Sequence, residues 1–302
     1  MEKVRRILVH LSKDKGVPQC ARFVQSITGH FAGSCPEDDH VKVSCSLENN
    51  RFIIENGNLT QLRRAQFCPF KYLTETEAGS LPDEILNRGV DVGVAILLQS
   101  SDQKVLLTRR AASLRIFPSV WVPPDYCFSG GHVELDETLL DAGLRELKEE
   151  TGLELDPNDV ASQLLGLWES VYPPMLSRGP PKRHHIVTYM LLHCSLSHLQ
   201  LQASLKPEPA EVSGCLWVDT NLVKAIVAAV DGEEEDPGPI PTNTAQSVSV
   251  MEVSPTGELS ESAMPASVLC NRAPAHGEDV ERVSTGTKFA LELWLKTLES
   301  QG

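Results

Sequence analysis

Glu146, Glu149 and Glu150 fall within one turn of a segment composed to be helical, Glu137 to Glu150. Leu140, Leu144 and Leu147 recur at i, i+4 and i+7 and predict one buried stripe. On another face Glu146 and Glu150 are i, i+4 neighbours, and Glu149 is i+3 from Glu146. Carboxylates gathered on one helix side repel each other unless cations neutralise them, and hard divalent ions with oxygen ligands do this well. Such ions bridge phosphate oxygens, orient water and lower its pKa. Gly152 is placed to end the helix as a C-cap glycine. Gly130 and Gly131 allow the preceding loop to bring backbone groups close to an ion. The alternative is a solvated charged face in which Arg145 and Glu149 form an ordinary i, i+4 pair.

The wider pattern separates the two readings. Gly131, Glu137, Arg145, Glu146, Leu147, Glu149, Glu150, Gly152 and Leu153 match G-x5-E-x7-R-E-U-x-E-E-x-G-U, with U aliphatic, at every fixed position. The sequence therefore resembles the Nudix hydrolases. That resemblance implies an α/β Nudix fold, with a mixed β-sheet sandwiched between helices. It also implies Mg2+- or Mn2+-dependent hydrolysis of a nucleoside diphosphate linkage. By position, Glu146 and Glu150 become metal ligands, with Glu149 a ligand directly or through water. Arg145 orients the glutamates by pairing with Glu137, and Gly130 or Gly131 contributes a carbonyl. Glu149, Glu150 and Arg145 form the catalytic set. Glu169 and Glu211 are candidates for a general base outside the motif.

The chain departs from the family just upstream. Members run from W-x-x-P straight into the glycine pair, whereas here Trp121-Val-Pro-Pro124 is followed by Asp125 to Ser129. That spacer either bulges outward or displaces the Gly130 carbonyl, and displacement would leave a Nudix-type binding module with impaired catalysis.

Several features bear on substrate. Leu106 to Arg110 resembles the start of a coenzyme A diphosphatase motif, with Arg115 as its second arginine, but Ser119 and V-P-P replace the glycines that motif requires. Arg109, Arg110, Lys182, Arg183 and His184 are the candidate substrate-binding residues, the last three in a basic loop between two expected strands. Trp121, Trp168 and Trp217 could stack a purine, with core packing the alternative for each. Arg88 to Asp91, Trp168 to Ser170, His184 to Val187 and Glu281 to Ala290 resemble a vertebrate branch of the family. For that branch the resemblance implies hydrolysis of capped RNA with release of a 7-methylguanosine nucleotide. Capped RNA is thus the leading substrate, with coenzyme A or another nucleotide diphosphate derivative as the alternative.

The elements that must position these groups follow from composition. The 302 residues carry 27 Lys and Arg against 41 Asp and Glu, a net charge of −14, which disfavours bulk electrostatic binding of nucleic acid but leaves room for a local basic cleft. A hydrophobic fraction of 41% excludes a wholly disordered chain. No apolar run is long enough for a membrane helix, and no secretory signal is legible. The eight scattered cysteines contain no C-x-x-C pair and read as reduced thiols. A cytoplasmic location is expected, with the nucleus as the alternative. Residues 1–87 read as an N-terminal α/β extension, a structural or partner-binding layer: strands at Val4–Leu11, Val41–Leu47 and Phe52–Glu55 and a helix over Val17–Ile27. Residues 89–230 read as the hydrolase domain, with strands at Val90–Leu98, Lys104–Thr108, Leu164–Ser170, His185–Leu192 and Val212–Val218 and a helix over Asn221–Val230. Residues 231–279 are acidic and Pro/Ser-rich and predict a flexible segment without a part in the chemistry. A last amphipathic helix is expected over 283–298, docked through Phe289, Leu293, Trp294 and Leu298.

Overall fold

The structure, a computed structural model, describes residues 6–13, 16–33, 39–124, 133–232, 246–276 and 279–301. Among them, thirteen strands join one mixed sheet. They are β1 Leu8–Ser12, β2 Gln19–Cys20, β3 His40–Glu48, β4 Arg51–Asn56, β5 Thr60–Arg64, β6 Asp91–Gln99, β7 Val105–Arg110, β8 Trp121–Val122, β9 Ala161–Tyr172, β10 Arg183–His193, β11 Val212–Val218, β12 Ser247–Val253 and β13 Leu259–Pro265. The helices are α1 Ile27–Phe31, α2 Pro69–Tyr72, α3 Glu75–Gly79, α4 Asp83–Leu86, α5 Leu139–Thr151, α6 His198–Ala203, α7 Thr220–Ala228 and α8 Thr285–Gln301. None is long and apolar enough to cross a membrane.

β6 sits at the centre and is buried along its whole length. Its near-continuous apolar run is what a strand covered on both faces requires. Val94 and Ile96 belong to the core beneath α5, while Ala95 and Leu97 belong to a second core with α7 and α8. β10 runs parallel to β6 in register, His185 beside Asp91 through His193 beside Gln99. β9 lies antiparallel to β10. On its other side β6 meets β7, which carries β11 and the short β8.

The N-terminal strands are built into this sheet rather than laid beside it. β5 pairs in parallel with β9, β3 bridges β5 and β4, β1 pairs with β4, and Leu8 of β1 meets Asp91 of β6. The strands thus close a ring from β6 through β10, β9, β5, β3, β4 and β1 back to β6. Val9, Phe52, Ile54 and Leu62 share the core that holds the underside of α5. The helix expected over Val17–Ile27 is corrected. Gln19–Cys20 pairs with β1 instead, and helix begins only at Ile27, where the Ser26 side chain accepts from Gly29 N–H as N-cap.

The expectation of flexibility across 231–279 is also corrected for its described part. β12 and β13 form a hairpin whose β12 pairs with β11. Val250, Met264, Ala266 and Leu269 are buried in the α7–α8 core. The polar composition that suggested mobility is the solvent-facing side of that hairpin, and a few apolar side chains on the other side suffice to anchor it. Residues 233–245 lie outside the described residues. The C-terminal helix docks as expected: Phe289 and Trp294 are buried, Leu293 and Leu298 pack partly against the same core, and Trp294 Nε1–H donates to Gln99 at 2.7 Å.

Candidate active site

α5 is fixed at both ends by its own sequence. Thr138 is the N-cap, and a capping box with Asp141 satisfies the first free N–H groups. Helix therefore starts after Glu137, not at it as expected. Gly152 ends the helix as predicted, in the left-handed region at φ 72°, its N–H bonded to Lys148 O. A Cβ there would lie 2.9 Å from the Lys206 carbonyl oxygen. Gly143 is a site residue that sequence reasoning passed over. A Cβ at this position would sit 2.4 Å from Ile96 Cδ1, so the missing side chain sets how closely α5 approaches β6. The signal was present: a glycine inside an otherwise strong helix costs about 1 kcal/mol and needs a packing reason.

The stripe α5 turns inward is Ala142, Gly143, Glu146, Leu147, Glu150 and Thr151. Leu140 and Leu144, expected on it, are only partly buried. Glu146 and Glu150 are each 3% exposed. That excludes the solvated-face alternative for both, because buried carboxylates are costly unless a cation or hydrogen bonds offset them. Glu149 projects into solvent at the rim, its side chain 58% exposed. Burial pushes the Glu146 carboxyl up to about 8; Arg145 opposes the shift, while Glu149 and Glu211 add to it. Glu211, just ahead of β11, thus belongs to the same field. Glu150 faces β11 as well, and after burial it is the charge that helps push the Cys215 thiol up to about 12.

Arg145 is the organiser. Its Nε and Nη2 donate to the two Glu137 carboxylate oxygens at 2.8 and 2.9 Å, and Nη1 donates to Glu146. Glu149 stands 3.6 Å from the same Nη1. Among the described residues no three His, Cys, Asp or Glu side chains are already arranged as an ion's ligands. The donor set nevertheless fits a hard divalent ion: Glu146 and Glu150 buried and within one turn, Glu149 at the rim and Glu211 facing them. Gly130, Gly131 and the spacer Asp125 to Ser129 lie outside the described residues.

Other sequence candidates are placed elsewhere. Glu169 is buried and accepts from the backbone N–H groups of Ile27 and Thr28 at 2.7 and 2.9 Å, pinning the start of α1. Burial alone would raise its carboxyl, but His184 and those hydrogen bonds hold it below the ordinary value. Its oxygens are occupied structurally, which removes it as a general base. His184 is likewise corrected: it is buried, with Nδ1 at 2.7 Å from Phe23 O and Nε2 at 3.2 Å from Glu169.

Arg109 is spent internally. It donates to Ser213, Glu281 and Glu252 and lies over the Trp121 ring at 5.4 Å. Arg110 is buried, with Nε donating to Ile116 O. Lys182 is exposed and Arg183 half-buried at the start of β10, so this end of the basic loop stays open to solvent. Trp121 is fully buried, with its N–H on Glu281.

Residues 88–237 match the family model described as the NUDIX domain. Over 302 residues the chain is 69% identical to the m7GpppN-mRNA hydrolase NUDT17 of Danio rerio, covering 99% of this chain and 98% of that protein. The corresponding Xenopus laevis protein is 51% identical, covering 98% and 96% of the two chains. The Homo sapiens protein is 44% identical, covering 93% and 85%.

Proposed function

The chain belongs to the Nudix family of hydrolases, and from that premise we propose that it hydrolyses the diphosphate bridge of a 7-methylguanosine mRNA cap. The reaction type is carried by one observation: two buried carboxylates, Glu146 and Glu150, one turn apart on the sheet-facing side of a helix, with Arg145 holding the first. The substrate is carried by similarity along nearly the whole chain to proteins named as cap hydrolases.

The family uses divalent metal ions, and we assign Mg2+ or Mn2+ here. Glu146 and Glu150 would hold the ion, with Glu149 and Glu211 beside them. The bound ion supplies Lewis-acid polarisation of a phosphate oxygen and a lowered pKa for water. The rest is done by the chain. Arg145 keeps Glu137 and Glu146 in fixed orientation through its guanidinium fork. Gly143 and Gly152 fix the height and the end of the helix against β6 and Lys206. Glu149, the exposed carboxylate of the group, is where the water proton can leave to solvent. Cytoplasmic mRNA is the proposed setting.

The test is hydrolysis of cap-labelled RNA by the purified chain with Mg2+ or Mn2+, beside coenzyme A and ADP-ribose. Release of a 7-methylguanosine nucleotide in preference to the other products is expected. Preferential coenzyme A cleavage would overturn the substrate, and silence across the panel would overturn the enzyme.

A further inference from the structure

Two loops meet at one end of the sheet. β7 runs antiparallel to β6 and ends at Arg110, opposite Val212, the residue after Glu211. β10 runs parallel to β6 and starts at that same end, with Arg183 paired to Tyr172, the last residue of β9. The loops concerned are 111–120, after β7, and 173–182, between β9 and β10. Neither contains an Asp or a Glu, although the chain has 41 among 302 residues. With Arg183 they carry Arg115, Arg178 and Lys182, so the sign of charge here is opposite to that of the whole chain.

Tyr172 joins the two loops. Its hydroxyl donates to Arg115 O at 2.9 Å, and its ring meets that of Phe117 edge-on at 5.2 Å. Its carbonyl accepts from Lys182 N–H at 2.7 Å. Loop 111–120 is also fastened to the glutamate site. Ala111 N–H donates to Glu211 O at 2.7 Å, and the buried Arg110 holds Ile116 O through Nε at 3.2 Å. Glu211 is the carboxylate whose charge is felt at Glu146. Arg115 follows Ala111 by four residues, a reach of at most about 14 Å.

Three of the four cations are available to a ligand. Arg178 is paired with Asp279 at 3.4 Å. Arg115 and Lys182 are exposed and Arg183 is half-buried, and none of the three forms an ion pair among the described residues. Cations gathered around one residue of an acidic protein suit a ligand with a row of negative charges. A phosphodiester chain has one at every nucleotide, and a guanidinium can grip two oxygens of a phosphate at once. Contacts of this kind position a nucleic acid without reading its bases.

We infer that Arg115, Lys182 and Arg183 form a ridge that binds the phosphodiester backbone of the RNA body next to the cap, without regard to its sequence. The inference rests on the decapping reading and assigns the part of the substrate that is not the cap.

The probe is a fluorescein-labelled decamer of uncapped single-stranded RNA. Its binding to the full chain is followed by anisotropy in chelator, so no hydrolysis enters. Three phosphate contacts predict that log K falls with log salt at a slope of about −2, or about 0.7 per contact. Affinity should thus drop about fifteenfold between about 50 and 200 mM salt. Arg115→Ala and Lys182→Ala should each remove about 0.7 from the slope, and the triple variant with Arg183→Ala should abolish it. Melting curves check folding. Arg115 meets Tyr172 through its backbone carbonyl, so truncation spares that contact, and Arg115→Ala/Lys182→Ala carries the test if the triple variant unfolds. A wild-type slope near zero, or an unchanged slope in the folded double variant, would overturn the inference. So would equal competition by polyglutamate of the same charge, which would make the ridge a site for an acidic protein.

Hydrolysis with metal is scored separately on a capped decamer and on the cap dinucleotide. The double variant should lose at least about fivefold more kcat/KM on the decamer than on the dinucleotide, through KM. Equal losses on both would sink the ridge alone. Failure of the wild-type chain to cleave either would sink the decapping reading, while the salt slopes still decide the ridge.

Discussion

Arg145 grips Glu137 with two parallel N–H bonds while its remaining nitrogen reaches Glu146, so one guanidinium ties the residue before the helix to the first buried carboxylate within it. A lysine cannot reproduce this fork, having a single point donor. Arg145→Lys should therefore lower kcat by about tenfold or more, the scale expected when a reacting group is mispositioned. Melting temperature should move little, since Arg145 is partly exposed. Unchanged kcat at saturating metal would show that Glu137 and Glu146 hold their places unaided.

The buried pair is expected to dominate catalysis. Glu146→Gln and Glu150→Gln keep shape and remove charge. Each should reduce turnover by about a hundredfold or more, the loss of a metal-assisted contribution of several kcal/mol. Glu149→Gln, at the rim, should cost less than Glu150→Gln. Steady-state rates across a metal titration check the order, and a larger loss for Glu149 would transfer the main role to it.

In chelator the same burial becomes a pH-dependent liability. The folded carboxyl of Glu146, at about 8, lies above its ordinary value of 4.5. Between those limits the folded state holds the proton more tightly, so stability falls as pH rises, by at most about 1.4 kcal/mol per pH unit. Metal-free protein should thus melt at progressively lower temperature from pH 5 to 8, and Glu146→Gln should flatten that slope. A rising metal-free melting curve over this range would contradict the assignment.

Gly143→Ala sets helix propensity against packing. Alanine gains about 1 kcal/mol in a helix. Its Cβ meets Ile96 at 2.4 and 2.9 Å inside a filled core, where overpacking costs about 1–3 kcal/mol. Net destabilisation is expected by thermal or urea unfolding, with partial recovery in Gly143→Ala/Ile96→Val. A more stable single variant would mean that Ile96 yields freely.

The hairpin is expected to matter. Deleting Ser247 to Pro265 strips Val250 and Met264 from the core, exposes the edge of β11 and takes Glu252 from Arg109. Loss of soluble, cooperatively melting protein is expected. Retained activity and melting temperature would restore the dispensable reading of this segment.

The sequence displayed its chemistry far better than its wiring. The motif identified Arg145, Glu146 and Glu150 because their spacing is local and each contact stays within α5 or next to it. β11 and α8 were legible for the same reason, as apolar runs with clear ends. What escaped depended on partners distant in the chain. Glu169 looked like a free carboxylate beside a tryptophan, and only the fold brings the N–H groups of Ile27 and Thr28 onto it. Arg109 looked like a surface cation because Glu252 and Glu281, which hold it, come from the far end of the sequence. The hairpin was hidden because half of its alternating pattern is polar by design of its exposed face.

The closed ring of strands has a consequence for how the chain acquires its shape. Gln61 finds Gly166 and Leu8 finds Asp91, so β1, β3, β4 and β5 can pair with one another but cannot close the ring until β6 and β9 have been made. Pairings this distant in sequence bear a loop-closure cost before any contact rewards it, and they slow folding. Until then the outer margin of that group, above all the free side of β5, is an unsheltered edge, the kind of surface that chaperones cover and that aggregates when they do not. Synthesis must therefore run well past the glutamate helix before the half-made sheet can close around it.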